Sequence, residues 1–279
     1  MRLLQYKIAV LALAFVMGLS SSSYAQKLVI LHTNDSHSQI TPQTAGNKTG
    51  WGGYERRENY INQVRAENEN VLLLDAGDFS QGSPYFTIFK GKVEVELLNA
   101  LKYDAVCPGN HEFDNGKDQL AEILQDAEFD VVCANLNFEG TSLEKIVKPY
   151  TIIEKCGKKI GIIGATVNLR GLVNPRNVEG VKWEHPYKII NSIALKLKNE
   201  EKCDLIILLS HIGYDHGKEQ NPSDDMIAKN SENIDIIIGG HSHTYIKEMA
   251  VYKNKLGRDV VVVTANEKGN YVGRLDIEF

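Results

Sequence analysis

None of the four cysteines (Cys107, Cys133, Cys156 and Cys203) forms a CxxC pair, and their spacings match no thiolate zinc site. Cys107 and Cys133 lie in the short apolar runs "DAVCPG" and "DVVCAN", the setting of small buried core residues. An exported chain could carry a Cys107–Cys133 or other disulfide, but a core of this size does not need one. Basic charge is also in short supply. With 31 Lys and Arg against 36 Asp and Glu, the formal charge is −5, and nothing suggests a general nucleic-acid binder, which would carry a basic face. Beyond residue 25 no apolar run approaches membrane-spanning length, so no stable membrane insertion is expected. Internal repeats and low-complexity tracts are absent too, which points to a single domain. "GKKIGIIG" has glycines but lacks the strand–turn–helix setting of a phosphate loop, and reads as part of a hairpin.

The first 25 residues, "MRLLQYKIAVLALAFVMGLSSSSYA", have a basic start (Arg2, Lys7), an apolar stretch from Ile8 to Leu19 and small residues at Ser23 and Ala25. That is the pattern of a secretory signal peptide cut after Ala25. A retained anchor is the competing reading, but the stretch is short for a bilayer. The expected mature chain, 26–279, is exported to the periplasm or beyond, and losing Arg2 and Lys7 takes its charge to −7.

Six segments read as strands covered on both faces, because their Val, Ile and Leu content is nearly continuous. They are "KLVILHTND", "NVLLLDAGD", "DAVCPGNH", "DVVCANL", "KCDLIILLSH" and "NIDIIIGGH". Helical spacing appears at Leu120, Ile123, Leu124 and Ala127, and again at Ile189, Ile190, Ile193, Ala194 and Leu197 behind Pro186. Hairpins are expected with turns at Gly157-Lys158 and near Asn254–Gly257, and "YVGRLDIEF" alternates like a half-exposed strand. The sum is an α/β domain with a mixed sheet or two sheets.

Chemistry-bearing residues collect just past these apolar runs: Asp35 and His37, Asp78, then Asn110, His111 and Asp114, then His211, then His241 and His243. Open α/β folds place their ligand sites beyond the carboxyl ends of strands. In Asp35-x-His37 and His241-x-His243 the i, i+2 spacing would set both side chains on one side of an extended chain. Two carboxylates, four imidazoles and an amide oxygen suit borderline divalent metals, and are too many for one tetrahedral site. Asp78 is the natural bridge between two ions. One strand-end histidine alone is more often structural than a ligand, and His32, His185 and His216, which lack a partnered motif, are read that way.

Taken together, "ILHTNDSH", "LLLDAGDFSQGSP", "YDAVCPGNHEFD", "LLSHIG" and "IIIGGHSHT" resemble the calcineurin-like metallophosphoesterases, and more closely the catalytic domain of the secreted bacterial 5′-nucleotidases. The resemblance runs from about Leu28 to Phe279 and implies a four-layer sandwich, two packed mixed sheets flanked by helices. It implies two divalent cations (Zn, Mn, Co or Fe). One would be held by Asp35, His37, Asp78 and His243, the other by Asp78, Asn110, His211 and His241. It further implies that His111 stabilises the transition state, oriented by Asp114, and that Asn110 and His111 face the substrate. The implied reaction is hydrolysis of a phosphate ester, foremost a 5′-nucleotide, by activated hydroxide. Two dications against Asp35 and Asp78 leave about +2 at the centre, which lets an acidic protein hold a phosphate.

Ser38 departs from the glycine usual in that family. The expected chain also lacks the family's C-terminal nucleotide-binding domain. The alternatives are therefore a catalytic half needing a separately encoded domain, or a broad-specificity or 2′,3′-cyclic nucleotide phosphatase. A bimetallic amidohydrolase is disfavoured, since those enzymes open on His-x-His and this chain opens on Asp-x-His.

Overall fold

The computed structural model describes residues 27–215 and 217–279. The expected leader with its cut after Ala25, and His216, lie outside the described residues. In chain order the first strands are β1 (Lys27–Thr33), β2 (Val71–Asp75), β3 (Ala105–Val106) and β4 (Asp130–Val131), with helices α1 (Tyr54–Glu67), α2 (Pro84–Phe89), α3 (Lys92–Ala100) and α4 (Lys117–Leu124) between them. Then come β5 (Leu136–Asn137), β6 (Tyr150–Lys155), β7 (Lys158–Thr166), β8 (Lys182–Trp183) and α5 (Pro186–Asn199). The chain closes through β9 (Leu205–His211), α6 (Asp224–Asn230), β10 (Ile236–Gly239), β11 (Ala250–Lys253), β12 (Asp259–Thr264) and β13 (Gly273–Glu278).

Two mixed sheets carry the architecture. One has five strands in the order β13-β1-β2-β3-β4, parallel except for β13. The other has six in the order β11-β12-β10-β9-β7-β6, a parallel centre with an antiparallel hairpin strand at each edge. The pleat sorts each central strand between two cores. Leu28 and Ile30 of β1 pack with Ile207, Leu209 and Ile238 of the second sheet, while Val29 and Leu31 pack against α1, α3 and α4 through Ile61, Leu98 and Leu120. On the far side Ile206, Leu208 and Ile237 meet Ile190, Ala194 and Leu197 of α5 and Ile227 of α6. Helices, sheet, sheet and helices are the four layers that near-continuous apolar strands require.

Local differences from the sequence reading have simple causes. The β6–β7 turn sits one residue early, at Cys156-Gly157, where both residues take positive φ (46° and 69°) as a two-residue hairpin turn demands. Ala127 falls past the end of α4, and Ile189 and Ile193 are only half-buried, leaving Ile190, Ala194 and Leu197 as the buried stripe of α5. All four cysteines are free thiols; Cys107 and Cys133 are buried as expected. No helix among the described residues is long and apolar enough to cross a membrane.

Candidate metal centre

The carboxyl ends of β1, β2, β3, β9 and β10 converge where the two sheets meet. Asp35 and His37 follow β1, Asp78 follows β2, Asn110 and His111 follow β3, His211 ends β9, and His241 and His243 follow β10. The side chains gather in three overlapping groups, Asp35–His37–His243, His37–Asp78–His111 and Asp78–His211–His241. Within each, the candidate ligand atoms lie within 4.8 Å of one another. Asp78 and His37 each belong to two of the groups, and of the two only Asp78 has a pair of carboxylate oxygens with which to face two neighbours.

The means of convergence differ from the extended-chain expectation. Asp35, His37, Asp78, His241 and His243 all adopt left-handed backbone, with φ between 45° and 71°. The turns behind them are held by backbone and side-chain bonds. Asp35 N donates to Gly77 O (2.8 Å), His37 N to Asp78 O (2.9 Å), and His241 N to both Asp35 carboxylate oxygens (3.1 and 3.0 Å). Gly109 has no room for a Cβ, which would strike Asp78 Oδ1 and lie 2.6 Å from His211 Nε2.

Several atoms are set as ligands are. Asn110 Oδ1 is buried with no hydrogen-bond partner. His211 Nδ1 bonds Ala76 O at 2.7 Å, which leaves Nε2 facing the cluster, 3.0 Å from Asp78 Oδ2 but outside hydrogen-bond geometry. The Nε2 atoms of His37 and His243 point at each other across 2.9 Å, and His243 Nε2 is 3.4 Å from Asp35 Oδ1. Imidazole nitrogens crowded against carboxylates, with orphaned buried lone pairs, fit divalent cations.

The electrostatics agree. Burial opposes charge on His211, yet Asp78 and Asp35 push its imidazole up to about 10. Burial likewise opposes ionisation of Asp78, but His211 carries it well below the usual carboxylate range. The pocket's potential is strongly negative and calls for positive charge. His241, desolvated and beside His211, is pushed down to about 4, which leaves its ring neutral at neutral pH with one nitrogen bearing a free lone pair.

His111, grouped with His37 and Asp78, is half-buried on the wall of a cavity of about 650 Å³ shared with His37, His243, Gln81, Tyr85 and Lys268. Its backbone N–H donates to Asp78 Oδ1 (2.9 Å), and its Nδ1 pairs with Asp114 Oδ2 at 2.8 Å, which raises its pKa. A histidine oriented this way presents Nε2–H as a donor when the ring is protonated, the state that Asp114 favours. Of the histidines read as structural, His185 bonds Glu219 O (2.7 Å), while His32 is buried with an unpartnered Nδ1.

Three supporting residues escaped the sequence reading. Buried Glu112 accepts from Asp78 N (2.9 Å), Gly109 N (2.6 Å), Ser80 N (3.0 Å) and Ser80 Oγ (3.0 Å), and so ties the β2 loop to the β3 loop. Burial, with Asp78 nearby, pushes it up to about 7. Asn34 donates to Asp35 Oδ2 (2.6 Å), and Glu267 sits 3.2 Å from His243 Nδ1. Glu112 lies inside "GNHEFD", so its motif was visible; Glu267 left no signal. Ser38, for its part, sits at φ 50° and accepts from Gln81 N (3.0 Å), so the serine tolerates a glycine-like conformation.

The calcineurin-like phosphoesterase family matches this chain over residues 28–245. The snake venom 5′-nucleotidase of Crotalus adamanteus is 34% identical over 96% of this chain and 48% of its own length. Among solved structures, a 5′-nucleotidase precursor from Thermus thermophilus superposes with a TM-score of 0.81 at 33% identity, covering 91% of this chain and 51% of that one. The NAD nucleotidase of Haemophilus influenzae gives 0.79 at 30% identity, covering 91% and 48%. The chain spans about half the length of the curated relatives it matches.

Proposed function

The chain belongs to the calcineurin-like phosphoesterases, and on that footing we propose that it is an exported hydrolase of phosphate esters, 5′-nucleotides above all, working at a two-cation centre. The observation that carries the reading is the meeting of Asp35, His37, Asp78, His211, His241 and His243 in overlapping groups, with Asn110, next in the chain to His111, keeping a buried and unpartnered Oδ1. Asp35, His37, Asp78 and His243 would hold one ion; Asp78, Asn110, His211 and His241 the other. Divalent cations there supply Lewis-acid stabilisation of phosphoryl charge and acidify water near neutrality.

The chain's own groups do the rest. His111, protonated and with its Nδ1–H tied to Asp114, donates from Nε2–H to a phosphoryl oxygen as negative charge builds there. Water oxygen bonds to phosphorus as the bond to the ester oxygen breaks in line with it, and the alcohol leaves with a proton. Glu112 fixes the two loops that carry Asp78 and Asn110, so that these groups are in place before substrate arrives. The 650 Å³ cavity outside His111 leaves room for the group attached to the phosphate.

The half-length match favours one second reading, a catalytic half that turns over its substrate only together with a further domain. Purified chain supplied with Mn, Co or Zn should be assayed on an aryl phosphate, on AMP and on 2′,3′-cyclic nucleotides. Turnover of AMP by the chain alone supports the first reading. Silence on every ester until the partner domain is added supports the second. Silence under all conditions with metals bound would defeat both.

A further inference from the structure

On the helix side of the five-stranded sheet, a line of buried polar side chains runs up to the candidate metal centre. Thr33 and Asp75 end β1 and β2 and lie opposite each other in register. Thr33 continues the face of Val29 and Leu31, which turns toward α1. Arg57 sits early in α1, and Tyr103 lies just before β3. None of these four is more than 3% exposed, and Ser36 is fully buried.

The bonds between them run one way. Thr33 Oγ1 donates to Asp75 Oδ2 (2.5 Å), which commits its single hydroxyl proton. Thr33 Oγ1 also lies 2.8 Å from Tyr103 Oη, so the proton of that bond comes from the tyrosine. Tyr103 Oη in turn accepts from Arg57 Nη1 (3.4 Å). Guanidinium and carboxylate are thus joined through two hydroxyls rather than face to face. The line has two outlets. Arg57 Nη2 donates to Ser36 Oγ (2.8 Å), between Asp35 and His37. Asp75 Oδ1 accepts from the backbone N–H of Gly77 (2.9 Å), the residue before Asp78.

Burying a guanidinium is costly, and an apolar side chain of similar volume would serve packing alone at least as well. What the arginine reaches is strained backbone. Asp35, His37 and Asp78 have φ of 50°, 45° and 54°. Such conformations persist only where the surroundings over-determine them. Glu112 braces the β2 loop against the β3 loop. The line through Arg57 braces the β1 and β2 loops against α1.

We propose that Arg57 and Tyr103 are positioning residues, which act through Ser36 and Asp75 to hold Asp35, His37 and Asp78 at the separation that two cations need. This rests on the two-cation hydrolase reading, and the experiment tells the two apart. Mn affinity is measured by calorimetry for the intact chain, Tyr103→Phe, Ser36→Ala and the double variant, with kcat and KM on an aryl phosphate at saturating Mn. Each replacement removes one hydroxyl and keeps the carbon framework that packs around it. Each single variant should bind Mn roughly tenfold more weakly, and should lose kcat at saturating Mn with KM little changed. The double variant should lose little more than the worse single one, because both break the same line. Val64→Ala, buried about two turns further along α1, is the control for stability. It should melt at a lower temperature yet keep the Mn affinity and kcat of the intact chain. Unchanged Mn affinity in Tyr103→Phe and Ser36→Ala overturns the positioning role and leaves the hydrolase reading standing, even where turnover awaits a further domain. A loss in Val64→Ala as large as theirs overturns it too, by reducing the effect to stability. If the intact chain binds no Mn and hydrolyses no ester, the hydrolase reading fails and the positioning role falls with it.

Discussion

Asp35, His37, Asp78, His241 and His243 share a backbone conformation as well as a destination. Left-handed φ at a non-glycine residue costs on the order of 1 kcal/mol or more, and such residues cluster where function holds them. Five within one cluster of candidate ligands are hard to explain by packing alone. That strain was invisible in the sequence, which showed the i, i+2 spacing but not that turns, rather than an extended chain, make the pairs converge. In the proposed mechanism His111 meets the phosphate rather than a cation, so His111→Ala should retain bound metal while slowing hydrolysis by roughly two to four powers of ten. Metal analysis beside steady-state kinetics checks it, and loss of metal would make His111 a ligand.

His32 gives a prediction independent of the centre. Burial pushes its imidazole down to about 4, whereas in the unfolded chain it titrates near 6.5. The native state holds it neutral, so below 6.5 the unfolded chain binds the extra proton. Its stabilising contribution is complete above 6.5 and drains away as the pH falls to 4, by roughly 3 kcal/mol at most. Urea unfolding at pH 7 and 4.5 should show a smaller acid loss in His32→Leu than in the parent chain; equal losses would refute it.

At the scale of elements, the loops are built around what glycine leaves out. Gly109→Ala places a methyl against Asp78 Oδ1 and His211 Nε2, so the loop must shift. A displacement near 1 Å costs catalysis on the order of a hundredfold. We expect that loss with the circular dichroism and melting cooperativity of a folded chain, and near-normal turnover would contradict the packing described. The buried strands were legible because a strand covered on both faces has to be apolar throughout. Of the helices over the first sheet, α4 was legible in its apolar spacing, but α1 and α3 were not. Tyr54, Arg57, Ile61 and Val64 form the buried stripe of α1, but the arginine interrupts its apolar signal. In α3, "KVEVEL" alternates with the period of a strand, while Glu94, Val95 and Leu98 face inward in a helix. Glu112 and Arg57 were passed over for the same reason: buried charge acts through backbone and hydroxyl partners that only the folded chain brings near.

For the whole molecule, the centre exists only because two sheets pack face to face with their parallel strands ending on one edge. β1, β2 and β3 deliver one set of candidate ligands, and β9 and β10 the other. Neither sheet has a complete site alone, so metal binding and packing of the two sheets should be coupled. The central claim is that Asp78 joins both halves in a single two-cation site, and metal content tests it most directly. After equilibration with Mn and removal of free ion, the intact chain should hold about two ions. Asp78→Ala should hold fewer than one, with ester hydrolysis abolished. Two ions retained by Asp78→Ala would contradict the account.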